Sequence, residues 1–211
     1  MRKLAVTMIA ALAAAVTASP AAAVTVNFAS GVSTTVNNGV VFQNFDGFTA
    51  GQSIGVNTFA YGADVPSNGR KPSGGTGNYA AILGGGSYTV NLNAFAPVLS
   101  FLTGSIDTYN SVTLTLVNTA LAATDASYRT FETFQGAQIG TINGDGRVTF
   151  DTGSSTFLIS AATFMSDRNS FEIDSIASAA PEPATWAMMI LGFGFAGMAL
   201  RSRRRGKLAL A

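Results

Sequence analysis

From Ser111 to Asn118 apolar and hydroxyl side chains alternate without a break, with Val112, Leu114 and Leu116 on one face and Ser111, Thr113 and Thr115 on the other. A period of two belongs to a strand with one buried face, and a helix cannot reproduce it. Shorter runs repeat the pattern. Tyr88, Val90 and Leu92 share a face in Ser87 to Leu92, Val148 goes with Phe150 in Arg147 to Asp151, and Phe171 goes with Ile173 in Ser170 to Ser175. Between Val24 and Ala180 no stretch sustains the 3.6-residue period of an amphipathic helix.

Turn chemistry separates these runs: Asn37-Asn38-Gly39, Ser67-Asn68-Gly69, Gly84-Gly85-Gly86, Asn143-Gly144-Asp145-Gly146 and Asp167-Arg168-Asn169. Asn and Gly supply the positive φ values that tight turns demand. Many short strands with such turns predict an all-β fold, a single β-sandwich or jelly roll over residues 24–180. A β-helix would need a fixed repeat period, and the chain has none. Tyr61 to Tyr79, rich in Gly, Pro, Ser and Asn, is the longest predicted surface loop.

The two ends read differently. Arg2 and Lys3 precede an apolar stretch from Leu4 to Val16 and then Ala21-Ala22-Ala23, the pattern of a secretory signal peptide over residues 1–23. Ala21 and Ala23 are the small residues of its cleavage site. At the other end, Ala184 to Leu200 holds no charged residue, and as a helix it would span about 25 Å, at the short limit for a bilayer core. Arg201, Arg203, Arg204, Arg205 and Lys207 follow at once, and such a cluster is retained on the cytoplasmic side. Residues 184–200 are therefore expected to be a membrane helix and 201–211 its basic cytoplasmic tail.

Pro181-Glu182-Pro183, Trp186 with Ala187 behind it, the glycine-rich apolar core and the arginine cluster together resemble the PEP-CTERM sorting signal of bacterial exosortase substrates, in its PEPxxWA variant. The resemblance covers residues 181–211 alone. It implies that Pro181, Glu182, Pro183, Trp186, Arg201, Arg203, Arg204 and Arg205 form the sorting and processing motif. It also implies cutting near Pro181 to Pro183 by a membrane-embedded exosortase, after signal peptidase has acted. The passenger is then expected to pass through a transient membrane-anchored stage to the surface of a Gram-negative cell or its exopolysaccharide. Gly192 to Gly197 spells the dinucleotide motif G-x-G-x-x-G, but neither the preceding strand nor the later acidic residue is present. Gly192 and Ala196 read instead as small residues where another membrane helix approaches.

Taking away both ends leaves five basic residues against ten acidic ones, a net charge of −5 where the whole chain carries +1. Scattered cations on an acidic domain do not make a nucleic-acid surface. The chain has no cysteine and no histidine, which excludes disulfides, thiolate chemistry, the Ser-His-Asp triad and the usual zinc sites. Carboxylates, hydroxyls and amides remain.

Glu172 and Asp174 lie two apart on a predicted strand and so share a face opposite Phe171 and Ile173. One reading makes this the solvent face of an edge strand. The run FEIDSIA also loosely resembles the closing strand of carbohydrate-binding β-sandwich modules, and Asn44 to Phe48 is expected to meet it because first and last strands often pair. Asp46, Glu172 and Asp174 are thus candidate ligands for Ca²⁺, the one cofactor indicated. Asn143 to Arg147 lacks the EF-hand pattern and reads as a hairpin turn between Ile142 and Val148. A flat threonine array for ice or surface adhesion would need a series, and the sequence offers only Thr113 and Thr115.

The expected role is a non-catalytic component of the cell surface or exopolysaccharide matrix, with Tyr61, Tyr79, Tyr88, Tyr109 and Tyr128 available to stack on sugar rings. The alternative is a polysaccharide-modifying enzyme using paired carboxylates drawn from Glu132, Glu172, Asp46 and Asp151.

Overall fold

The computed structural model describes residues 24–31 and 39–179. The expected signal peptide, the Pro-Glu-Pro segment, the membrane helix and the basic tail lie outside the described residues. Among the described residues no helix is long and apolar enough to cross a membrane.

The described chain is all-β, as the alternation predicts. In order it forms β1 (Thr25–Ser30), β2 (Gly39–Gln43), β3 (Ser53–Tyr61), β4 (Tyr79–Ala96), β5 (Val98–Thr103), β6 (Asn110–Asn118) and β7 (Arg129–Gln135). One helical turn, α1 (Gly136–Ile139), precedes β8 (Gly146–Asp151), β9 (Phe157–Ser166) and β10 (Phe171–Ala179). The alternating run from Ser111 to Asn118 lies in β6, flanked by β7 and β9. Its Val112, Leu114 and Leu116 are buried while Ser111, Thr113 and Thr115 are half-exposed.

The expected sandwich or jelly roll takes the form of one continuous sheet in the order β1-β8-β5-β10-β4-β9-β6-β7, with β2 added beside β10 and β3 beside β4. The sheet curls because β4 changes partner along its length. Ala80 to Ile82 pair with β10, whereas Gly86 to Ala96 pair with β9. The two wings so made face each other across a single core. Phe101 of β5 meets Phe164 of β9 edge-on at 4.9 Å, and Phe134 of β7 lies 5.0 Å from Phe150 of β8. Each such buried ring contributes about 2 to 3 kcal/mol of transfer free energy.

The triplet Gly84-Gly85-Gly86, read from sequence as a turn, lies inside β4 at this change of partner. A β-carbon on Gly86 would meet the Asn57 carbonyl oxygen at 2.7 Å, and Gly85 takes φ +72°. Glycine within a strand marks a local irregularity and a close backbone approach, which here redirects the strand without ending it. The expected hairpin turn at Asn143 to Gly146 is a turn, but it joins α1 to β8 and so closes no β-hairpin.

Candidate functional site

The loop between β3 and β4, residues 62–78, is the long surface loop predicted from composition, and it folds back over the sheet. Inside it Val65 and Gly69 pair backbone to backbone, and Asp64 accepts the Lys71 N–H at 2.8 Å. Asp145, at the turn before β8, fastens the loop from outside. It accepts the Ser73 N–H at 3.0 Å, and Arg70 reaches the same carboxylate at 3.4 Å.

Beneath the loop runs β10. Phe171 and Ile173 enter the core, and Glu172 and Asp174 face the other way as predicted. The edge-strand reading fails, because β10 is interior, with β4 and then β2 on one side and β5 on the other. Both carboxylates are buried, Glu172 at 2 % exposure and Asp174 at 0 %. The loop is what covers them: a β-carbon on Gly69 would lie 3.3 Å from Glu172 Cγ, and one on Gly75 would lie 2.5 Å from Asp174 Oδ2.

The two carboxylates have different surroundings. Glu172 is satisfied by hydroxyls, with Ser105 donating at 2.8 Å to one oxygen and Ser170 donating to the other. Asp174 accepts only the Ser175 N–H, at 2.6 Å on Oδ1, and its Oδ2 has no hydrogen-bond partner among the described residues. Burial pushes the Asp174 carboxyl up to about 7; the Ser175 N–H opposes the shift, and the negative charge of Asp46 adds to it.

Asp46 reaches this place through β2, whose Gln43 pairs with Ile176 of β10. The strand that leads into Asn44 to Phe48 pairs with the last strand, although β1 itself pairs with β8. Asn44 donates to Asp46 Oδ2 at 2.9 Å and the Asn78 N–H donates to Oδ1 at 2.8 Å, so the carboxylate joins the two ends of the region. The three predicted ligands therefore divide. Asp46 and Asp174 act on one another electrostatically, while Glu172 belongs to a neighbouring cleft. No group of three acidic side chains placed to hold a metal occurs among the described residues.

That cleft, about 430 Å³, lies between the loop and the start of β10 and includes Asp64, Arg70, Asp107, Tyr109, Asn169 and Glu172 in its lining. The Tyr109 hydroxyl donates to the Asn169 carbonyl at 3.0 Å. Burial, then the nearby Asp107, hold its phenol up at about 12. Of the five tyrosines expected to stack on sugars, Tyr109 alone lines the cleft. Tyr79 is fully buried and Tyr88 packs edge-on against Phe45 at 5.3 Å. The carboxylates considered for catalysis are dispersed: Glu132 sits opposite Leu114, Asp151 opposite Thr25 and Val98, and Asp46 beside Asp174.

Two features escaped the sequence reading. Asp107 enters the cleft from a turn in which its N–H donates to Asn110 Oδ1 at 2.6 Å, a D-x-x-N spacing that marks a turn but not a cleft. The T-x-T pair becomes part of a row across four strands, because Thr113 pairs with both Thr133 and Thr163, and Thr163 with Thr89. Their hydroxyls bond at 2.8 Å for Thr113 with Thr133 and 2.9 Å for Thr89 with Thr163.

Comparison with known proteins gives two matches. Among curated proteins none matches the chain. Among solved structures, TmCBM61 in complex with β-1,4-galactotriose is similar at 12% identity with a TM-score of 0.28, over 67% of this chain and 94% of that one. Residues 179–205 match the model of the PEP-CTERM protein-sorting motif, so the chain carries that motif at the end of its last strand.

Proposed function

We propose that the protein is an exosortase-sorted surface protein. Residues 1–23 direct export, residues 184–200 hold the chain in the membrane for a time, and the sandwich-like passenger is then delivered to the cell surface or the exopolysaccharide matrix. The observation that carries this reading is the junction: β10 ends at Ala179, and the sorting-motif match begins at the same residue. Among the described residues every paired strand residue precedes Pro181, so a cut at the Pro-Glu-Pro triplet leaves all the described strands intact. Ala179 is itself paired, with Gly39, so the sheet runs up to the residue where the motif match begins.

At its destination the passenger works without catalysis, holding a glycan in the cleft between the loop and β10. One aromatic face beside amide, guanidinium and carboxylate groups suits a sugar ring, which presents an apolar face and a rim of hydroxyls. A specific observation favours the enzyme alternative as second reading: Asp107 and Glu172 share the Ser105 hydroxyl, at 3.4 and 2.8 Å. Against it, both Glu172 oxygens are already bonded and the side chain is covered. Affinity electrophoresis through the producing organism's exopolysaccharide tests the binding reading. Retardation without change in polymer length is expected, whereas shortened chains would favour the enzyme and unretarded migration would remove the glycan role.

A further inference from the structure

A carboxylate oxygen with no partner is costly to bury, because desolvation is not offset by any hydrogen bond. Asp174 Oδ2 is in that position, in a side chain with no solvent exposure. A second carboxylate, Asp46, is brought beside it from 128 positions earlier in the chain by the pairing of β2 with β10. The loop covers Asp174 while Asp46 stays exposed, and the negative charge of Asp46 adds to the cost of ionising Asp174 unless cations offset it.

The loop packs its backbone against the two acids and excludes side chains. A β-carbon on Gly75 would meet Asp174 Oδ2 at 2.5 Å and the Pro72 carbonyl oxygen at 3.0 Å, and one on Gly77 would collide with the Asp46 carboxylate. Glycine at both positions brings backbone against the two acids. Two cations act on Asp174 electrostatically, the buried Arg147, whose guanidinium donates to the Ser175 carbonyl at 3.3 Å, and Lys71. The Lys71 ammonium, however, donates to the Gly77 carbonyl at 2.7 Å and leaves Oδ2 without a partner.

We propose that the exposed Asp46 and the buried Asp174, beside the loop segment from Pro72 to Gly77, form a binding site for a hard divalent cation, Ca²⁺ foremost. Every donor near the pair is oxygen, which suits Ca²⁺ and disfavours the softer metals that take nitrogen or sulfur. With two carboxylates, the remaining ligands of a six- to eight-coordinate ion are backbone carbonyls and water. A site with so few charges belongs to the weak extracellular class, with dissociation constants of about 10⁻⁴ to 10⁻³ M. An exported protein meets Ca²⁺ in that range. The site stands independently of the glycan reading.

The test is calorimetric titration of the full-length protein in detergent with CaCl₂ after EDTA treatment, with melting curves in EDTA and in 5 mM CaCl₂, roughly five times the weak end of that affinity range. One ion per chain and a higher melting temperature in CaCl₂ are expected. Asp174→Asn should weaken binding at least tenfold and abolish the shift, and the more accessible Asp46→Asn should do the same where Asp174→Asn folds poorly. Lys71→Met should leave the calcium response in place or strengthen it. Three results overturn the proposal: no heat with Ca²⁺ and identical melting in both buffers, a calcium response that persists in both Asn variants, or a Lys71→Met protein that loses stability which Ca²⁺ does not restore.

Discussion

Gly75 closes over Asp174 so tightly that a β-carbon in its place would sit 2.5 Å from the carboxylate Oδ2. Gly75 thus packs against the buried side-chain oxygen that has no hydrogen-bond partner among the described residues. Gly75→Ala should destabilise the protein by about 1 to 3 kcal/mol, as overpacking against a fixed neighbour does. Gly47→Ala is the control, because nothing lies within 4 Å of its added carbon. Urea denaturation of the two variants checks the contrast, and equal midpoints would remove the close approach.

Asp174 also sets a pH dependence. Burial raises its folded-state pKa to about 7 from the ordinary carboxylate value near 4, so between those values the folded protein holds a proton that the unfolded chain has lost. The sign follows from linkage. In chelator this group lowers stability as pH rises through roughly 4 to 7, and its full penalty is present above that window. Wild type in EDTA should therefore be less stable at pH 8 than its Asp174→Asn variant, with a smaller difference at pH 5. Denaturation at the two pH values measures this, and a gap that widens towards pH 5 would contradict it.

Asp145 holds the loop from a different part of the chain. Asp145→Ala removes the acceptor of the Ser73 N–H and the partner of Arg70. The loss should fall on the loop rather than on the sheet, because the core rings lie elsewhere. Hydrogen exchange should speed up at least tenfold at the Ser73 amide while the amides of β6 and β9 keep their protection. Uniform loss of protection across both strands would show that the contact supports the whole fold.

Tyr109 is the one aromatic ring among the described residues that line the cleft. Tyr109→Ala should abolish retardation in exopolysaccharide gels, while Tyr109→Phe, which keeps the face and loses the bond to the Asn169 carbonyl, should retain most of it. Since the phenol is held near 12, retardation of the wild type should not change between pH 7 and 9.

The legible parts of this chain were local. The alternation in β6 and the face shared by Val148 and Phe150 follow from side-chain period alone, and both sets are buried. The pattern of FEIDS was legible as well, yet its exposure was not. What buries Glu172 and Asp174 is a loop about a hundred residues away, and strand period says nothing of what covers its second face. Gly84 to Gly86 has turn composition, and only the change of partner from β10 to β9 shows why a strand continues through it. Thr89, Thr133 and Thr163 could not be seen to join Thr113, because register between strands is decided across the sheet rather than along the chain.

Intact-mass spectrometry of the protein recovered from the medium and from the cell surface reads out cutting at the sorting motif. A chain that starts at Val24 and ends near Pro181 to Pro183 is expected, folded as before because β10 closes at Ala179. Protein outside the membrane that still carries residues 184–211 would contradict it.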